Sequence, residues 1–161
     1  MKKWIVAGIA VVLAGIGGMV GIYLNSTEPI KSAEDKAVKL LQQETKLTQF
    51  SDFQLYHGEE SYYVLKARNE KEQAVYVWVS EKDKKIMTKL VSDGVKEDQA
   101  VKTVYADREP EQVISVKLGM ARIQKTDRPA WEILYKTGND NLNYYYVDFE
   151  TGEKLRAIDN F

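Results

Sequence analysis

Residues Trp4 to Leu24, WIVAGIAVVLAGIGGMVGIYL, carry no charge over their whole length, and no comparable run recurs in the chain. As a helix rising about 1.5 Å per residue this stretch is about 31 Å long, which matches a hydrocarbon core of about 30 Å. The run therefore predicts a transmembrane helix and a single-pass protein of the cell membrane. Lys2 and Lys3 precede it and the first charge beyond it is Glu28, so the positive-inside rule places the N-terminus in the cytoplasm and the rest of the chain outside. A cleaved signal peptide is the rival reading. The apolar run exceeds the roughly 7 to 15 residues of a signal h-region, and Leu24-Asn25-Ser26-Thr27 offers no A-x-A cleavage site, so the segment reads as a retained anchor. Ala10, Ala14, Gly17 and Gly21 line one face of this helix as candidate contacts for another transmembrane helix.

What lies outside is about 130 residues after a short linker, enough for one ordinary domain or two very small ones. All 24 acidic residues and all but two of the 23 basic ones, the exceptions being Lys2 and Lys3, lie beyond Leu24, giving that part a formal charge of −3. Such a balance draws in neither nucleic acid nor an anionic lipid surface strongly. There is no cysteine, so an exported domain must be held by burial and backbone pairing, and lipidation of a Cys is ruled out as its anchor. A cysteine-free extracellular domain suggests a Gram-positive source.

Asn25 to Lys31 is polar and contains Pro29, which predicts a brief extended linker. Ser32 then offers a helix cap, Glu34 and Asp35 fall in the first turn, and Ala33, Ala37, Leu40, Leu41 and Leu47 recur at helical spacing, predicting an amphipathic helix. From Gln49 the period changes to two. Gln49 to Tyr56, Ser61 to Arg68, Gln73 to Ser80 and Lys85 to Val91 are rich in Tyr, Val and Trp and are separated by turn-forming stretches, which predicts four strands joined by hairpins. Ser92-Asp93-Gly94 interrupts, and a second helix is expected from about Lys96 to Ala106, with Val95 stapled onto Ala100 and Gln99 at its third position. Alternation returns in Ile114 to Met120 and again in Trp131 to Tyr135, with Leu134 as an exception. Leu142 to Phe149 and Lys154 to Ile158 follow, joined through a turn in which Gly152 can adopt positive φ.

The two halves repeat. Glu34-Asp35-Lys36-Ala37-Val38-Lys39 and Glu97-Asp98-Gln99-Ala100-Val101-Lys102 agree at five of six positions, 63 residues apart, and Tyr76-Val77-Trp78-Val79 aligns with Tyr146-Val147-Asp148-Phe149 at an offset of 70. An internal duplication accounts for both. The expected fold is α+β: a first unit over residues 32–93 and a second over 94–161, each one helix on a curled antiparallel sheet, following the linker at 25–31 and the anchor at 1–24. Units this small are marginal alone, so their sheets or helices should pack on one another.

No catalytic constellation accompanies this fold. His57, the only histidine, falls in His57-Gly58-Glu59-Glu60 at a hairpin tip, a poor place for an oriented base. One His and no Cys cannot supply a zinc site. Asp140, Asp148 and Glu150 gather near the last hairpin without EF-hand spacing and read as a solvated acidic rim rather than a calcium site. The glycines of Gly15 to Gly21 have no preceding strand and so form no dinucleotide loop. Neither catalytic residues, a metal nor a cofactor is expected. The outer domain is instead rich in aromatics. Strand neighbours such as Tyr144 and Tyr145 must point to opposite faces, so some aromatics pack between the repeats and others can anchor a partner. Packing between repeats is the favoured use, and the candidate protein contacts are Tyr62, Trp78, Trp131, Tyr144 and Tyr146.

A short basic start, one anchor and two small α+β units, with Tyr62-Tyr63-Val64, Tyr76-Val77-Trp78-Val79, Tyr144-Tyr145-Tyr146-Val147-Asp148-Phe149 and Thr151-Gly152-Glu153, resemble the TseB (YpmB) family of membrane proteins. That resemblance implies cystatin-like units related to PepSY domains. It also implies a non-enzymatic regulator of cell wall elongation that contacts a membrane-bound penicillin-binding protein cross-linking peptidoglycan. The PepSY relationship carries an alternative, inhibition of an extracellular peptidase. Whether the chain forms homo-oligomers is left open by the sequence.

Overall fold

The computed structural model describes residues 28–138 and 141–160. The expected anchor, with its small-residue face of Ala10, Ala14, Gly17 and Gly21, lies outside the described residues. Among those described, no helix is long and apolar enough to cross a membrane. The chain divides into two compact units, Met1–Lys39 and Leu40–Phe161. In the first, residues 28–39 are helical, and the helix continues to residue 44. The described part of this helix, α1 (residues 28–44), thus includes residues 28–31, which the sequence reading placed in an extended linker. Ala37 and Leu41 are buried, as their spacing predicts. Leu47 is not on the helix. Thr45 ends it by donating both its N–H and its hydroxyl to the Leu41 carbonyl, and its Oγ1 then accepts the Leu47 N–H, turning the chain away.

The second unit holds two four-stranded antiparallel meanders. The first sheet runs β1 (Thr48–His57), β2 (Ser61–Arg68), β3 (Ala74–Ser80) and β4 (Ile86–Leu90) in that order. A short 3-10 turn at Val91–Asp93 leads to α2 (Glu97–Asp107). The second sheet is β5 (Gln112–Ile123), β6 (Thr126–Lys136), β7 (Leu142–Asp148) and β8 (Lys154–Ile158). The sequence period identified every strand, and β2 and β8 match its bounds. The register slips twice along β1, between Thr48 and Gln54, once in β5, where Ile114 is the extra residue and stands exposed, and once in β8, where Leu155 is the extra residue.

Lys96 offers no cap to α2, yet the helix starts there because the Gln99 side-chain oxygen accepts the Lys96 N–H at 2.8 Å. Val95 packs against the same core as Ala100 and Val104, and its N–H donates to the Phe149 carbonyl at 2.8 Å. The α2 apolar stripe is thereby locked to the sheet that follows it.

The hairpins β3–β4 and β7–β8 are copies. Ser80 and Asp148 each give an N–H to a residue five positions on, Lys85 and Glu153, and each accepts from a residue four on, Lys84 and Gly152. Lys84 and Gly152 both have positive φ, 59° and 73°. The hairpins therefore superpose at an offset of 68, not 70, and Trp78 corresponds to Tyr146. The slip of two leaves every face assignment intact, because strand side chains alternate with period two.

The halves share one core. Tyr56, Tyr62, Val64 and Trp78 of the first sheet are buried in a cluster with Ala100 and Val104 of α2 and with Leu118, Met120, Trp131, Ile133, Tyr145, Val147 and Phe149 around the second sheet. Both faces of β2 and β3 are enclosed, since Leu65, Val77 and Val79 on the opposite face are also buried. Their near-continuous apolar sequences follow from this.

Candidate functional site

The seam between the two sheets is where the aromatic side chains converge. Trp78 has no exposed surface, and its indole N–H donates to the Gly119 carbonyl at 3.0 Å. Beside it, Gln54 Nε2 donates to the Leu118 carbonyl at 2.9 Å. Both acceptors are main-chain groups of β5, the edge strand of the second sheet; the Gly119 carbonyl also faces its ladder partner Ala130, whereas the Leu118 carbonyl lies on the open edge, which Gln54 thereby covers. Phe149 meets Trp78 edge-on with centroids 5.7 Å apart, and Tyr76 meets Phe149 at 5.7 Å and Trp131 at 6.5 Å, also edge-on. Such pairs are favoured by the ring quadrupoles beyond their burial. The Trp131 indole donates to the Val95 carbonyl at 2.9 Å, joining sheet to helix start.

Tyr56 lies on the other side of β5. Its ring rests on Gly119 so closely that a Cβ there would stand 2.2 Å from Cε2. Its hydroxyl donates to Glu132 Oε2 at 2.8 Å, and burial together with that carboxylate pushes the phenol well above its ordinary pKa. Arg156 stacks on Tyr146 with its guanidinium carbon 4.6 Å from the ring centre and pairs with Glu59 of the β1–β2 turn at 3.0 Å.

Four of the five aromatics singled out from sequence as protein contacts are therefore inside the domain. Tyr62 and Trp78 lie in the seam, Trp131 lies between β6 and Val95, and Tyr146 is on the second sheet's opposite face with Ala121 and Ala130. Tyr144 is half-buried beside Tyr146, on the face opposite Tyr145, as alternation requires. Packing between repeats, the favoured sequence reading, is what Tyr62 and Trp78 do.

One end of the seam opens as a cleft of about 240 Å³. Trp78, Ile86, Met87 and Met120 form its apolar part, and Glu60, Asp83, Lys85, Arg122 and Asp127 stand around it. Its walls are tied across the seam: the Tyr62 hydroxyl donates to Asp127 Oδ2 at 3.2 Å, and Arg122 Nη1 donates to Glu60 Oε1 at 2.9 Å. Burial, then the Asp127 charge, raises the Tyr62 phenol to about 12. Sequence reading missed this cleft. Gly119 inside the alternating Leu118-Gly119-Met120 signals the close approach of Tyr56 on the other side of β5, not this cleft, whose residues are joined only by long-range packing. A wider depression of about 690 Å³ lies at the end of α2, where Arg108 pairs with Asp159 at 3.4 Å and Asn143 Oδ1 accepts the Asn160 N–H at 3.0 Å.

The residues weighed for chemistry have structural partners. His57 Nδ1 lies 2.9 Å from Ser61 Oγ, the cross-strand pairing set by the β1–β2 register, and both are near the solvent-exposed hairpin end. Asp148 pairs with Arg128 at 2.9 Å through one oxygen, and its other oxygen accepts the N–H groups of Glu150 and Thr151. Glu150 pairs with Lys89 at 2.8 Å, and Asp140 lies outside the described residues. Among the described residues no group of three His, Cys, Asp or Glu is placed to hold a metal.

Residues 36–80 match the family model of the cell wall elongation regulator TseB-like domain. The chain is 29% identical over 138 residues to the probable cell wall elongation regulator TseB of Bacillus subtilis, covering 85% of this chain and 83% of that protein. The solved structure of the YpmB protein from Bacillus subtilis is similar with a TM-score of 0.69 and 30% identity, over 78% of this chain and 95% of that one.

Proposed function

Because this chain belongs to the TseB family of cell wall elongation regulators, we propose that it is a single-pass membrane protein regulating cell wall elongation without catalysis, by contact with a penicillin-binding protein. The observation that carries the reading is the extent of the similarity. It runs over 138 residues, 85% of this chain and 83% of the relative, which is more than one repeat alone could supply. The uncharged run Trp4 to Leu24 supports an anchor, an N-terminus in the cytoplasm and an outer domain held near the membrane. A chain confined to the membrane plane meets a membrane-bound synthase at raised effective concentration without any new contact.

The test is affinity capture of the full-length chain from membranes, alongside deletion in the cells that make it. A penicillin-binding protein should be enriched, and deletion should change cell shape and β-lactam sensitivity. If no cell wall enzyme is enriched and deletion leaves both properties as they were, the reading is wrong.

A further inference from the structure

The seam cleft has a composition that none of the structural roles above requires. Its apolar part combines Trp78 and Ile86 with two thioethers, Met87 from β4 and Met120 from β5, one from each sheet. Methionine side chains are unbranched and polarisable, and they reshape around an incoming group at little cost. At about 240 Å³ the cleft is smaller than the roughly 300–1,000 Å³ of small-molecule sites, and it suits one or two inserted side chains.

The charges around it are unequal. Glu60, Asp83 and Asp127 face Lys85 and Arg122, three carboxylates against two cations. Both cations are already engaged: Arg122 contacts Glu60 at 2.9 Å and Asp127 at 3.8 Å, and Lys85 contacts Asp83 at 3.1 Å. One negative charge is left over at the rim of an apolar hole. The hole also keeps its shape, because Tyr62 to Asp127 and Arg122 to Glu60 tie its two walls together. A fixed apolar pocket with a charged rim is the arrangement that accepts an anchor residue at a protein interface.

We propose that this cleft is the docking pocket for a protein segment that inserts a long apolar side chain between Met87 and Met120 and sets an adjacent Lys or Arg against the acidic rim. The proposal deepens the reading of the chain as a contact regulator and rests on it for the identity of the partner, but the pocket's preference is tested separately.

The sequence supplies the probe. It contains four methionines, Met1, Met19, Met87 and Met120, so labelling Met methyl groups with carbon-13 in the full chain in detergent micelles gives two reporters in the cleft and two far from it in sequence. The ligands are blocked tetrapeptides, acetyl-Ala-Leu-Arg-Ala-amide and its counterpart with Glu in place of Arg. The Leu-Arg peptide should shift Met87 and Met120 saturably and leave Met1 and Met19 in place, and the Leu-Glu peptide should bind about fivefold more weakly. Asp83→Lys, an exposed change at the rim, should weaken Leu-Arg binding by about the same factor. The proposal is overturned by no saturable shift, by equal response to both peptides, by equal movement of all four methyls, or by an Asp83→Lys variant that binds as tightly as the parent. Broadening of Met87 and Met120 with protein concentration alone would assign the pocket to a second copy and also overturn it. Selective peptide shifts without capture of a penicillin-binding protein would sink the partner and leave the pocket.

Discussion

Gly119→Ala tests whether the two repeats are one body. Gly119 has ordinary negative φ, so the substitution adds no backbone strain, and removing a glycine should by itself stabilise by about 0.4–1 kcal/mol through the unfolded chain. The opposing effect is steric. The new Cβ would lie 2.2 Å from Tyr56 Cε2 and 2.4 Å from Cδ2 and Cζ, whereas carbon atoms settle at about 3.5–4.0 Å, so the ring must retreat by more than about 1 Å. It has nowhere to retreat to: Tyr56 is 1% exposed and its hydroxyl is held by Glu132. Overpacking of this kind costs about 1–3 kcal/mol, and eviction of an aromatic ring about 3–5. The net expectation is a loss of about 2 kcal/mol, or about 6–10 °C in Tm for a domain of this size. Thermal and urea unfolding followed by circular dichroism would measure it, and a Tyr56→Ala background would identify the cause. Without the ring the same substitution should cost less than about 0.5 kcal/mol, leaving a coupling of about 2 kcal/mol in the double-mutant cycle. A full cost that persists in Tyr56→Ala, or no cost in the parent, would refute a seam built on this contact.

Trp78→Phe removes the indole N–H bond to the Gly119 carbonyl, which keeps its ladder partner Ala130, and truncates a fully buried ring, so the lost bond and the cavity together should cost about 1–3 kcal/mol, read from the urea midpoint with the m-value unchanged. Alkaline titration should show delayed ionisation, because Tyr62, Tyr145 and Tyr146 are each raised to about 12, chiefly by burial. Their folded pKa exceeds the unfolded one, so their stabilisation is complete below about pH 10 and is lost as pH rises through about 12; tyrosinate absorbance and circular dichroism should change together there. At the acid end Asp107 is lowered by hydrogen bonds from Lys154 and Tyr145, so its contribution is present above the ordinary carboxylate range and fades as pH falls below it, and Asp107→Asn should flatten that part of the urea midpoint profile. Releasing residues 28–161 as a soluble fragment should abolish most function in complementation of a deletion strain, and Gly17→Leu with Gly21→Leu in the full chain tests whether the anchor is also an interface.

How much of this was legible in the sequence depends on whether the deciding contact was local. Strands with period two, the Gly152 turn, Gln99 at the third position of α2 and the Val95 staple are fixed by residues within a few positions of one another, and each was readable. Thr45 was not: its β-branched hydroxyl closes α1 before Leu47, although Leu47 continues the apolar spacing. Long-range pairings were less readable still. Nothing near Trp78 announces that its indole will find Gly119, and an aromatic on a strand reads equally as an exposed anchor or a buried wedge. The placement of β5 decided between them, because its open-edge carbonyl at Leu118 takes the Gln54 amide and the Gly119 carbonyl, already paired in the ladder, comes close enough to take the Trp78 indole as a second donor.

The duplication explains why that edge is there to be covered. The two helices align at an offset of 63 and the last hairpins at 68, so the second repeat is longer, and the extra length falls in β5 and β6, with 12 and 11 residues against 10 and 8 in β1 and β2. Two identical repeats would present identical faces and edges and could stack indefinitely. Lengthening one hairpin gives the second repeat an arm carrying Leu118, Gly119, Met120, Arg122 and Asp127, and the first repeat receives it between Tyr56 on one side and Tyr62 with Trp78 on the other. The asymmetry closes the pair and leaves an opening where the arm ends, beside Met120 and Arg122. The pocket is thus a consequence of how the repeats diverged, and neither repeat alone could form it.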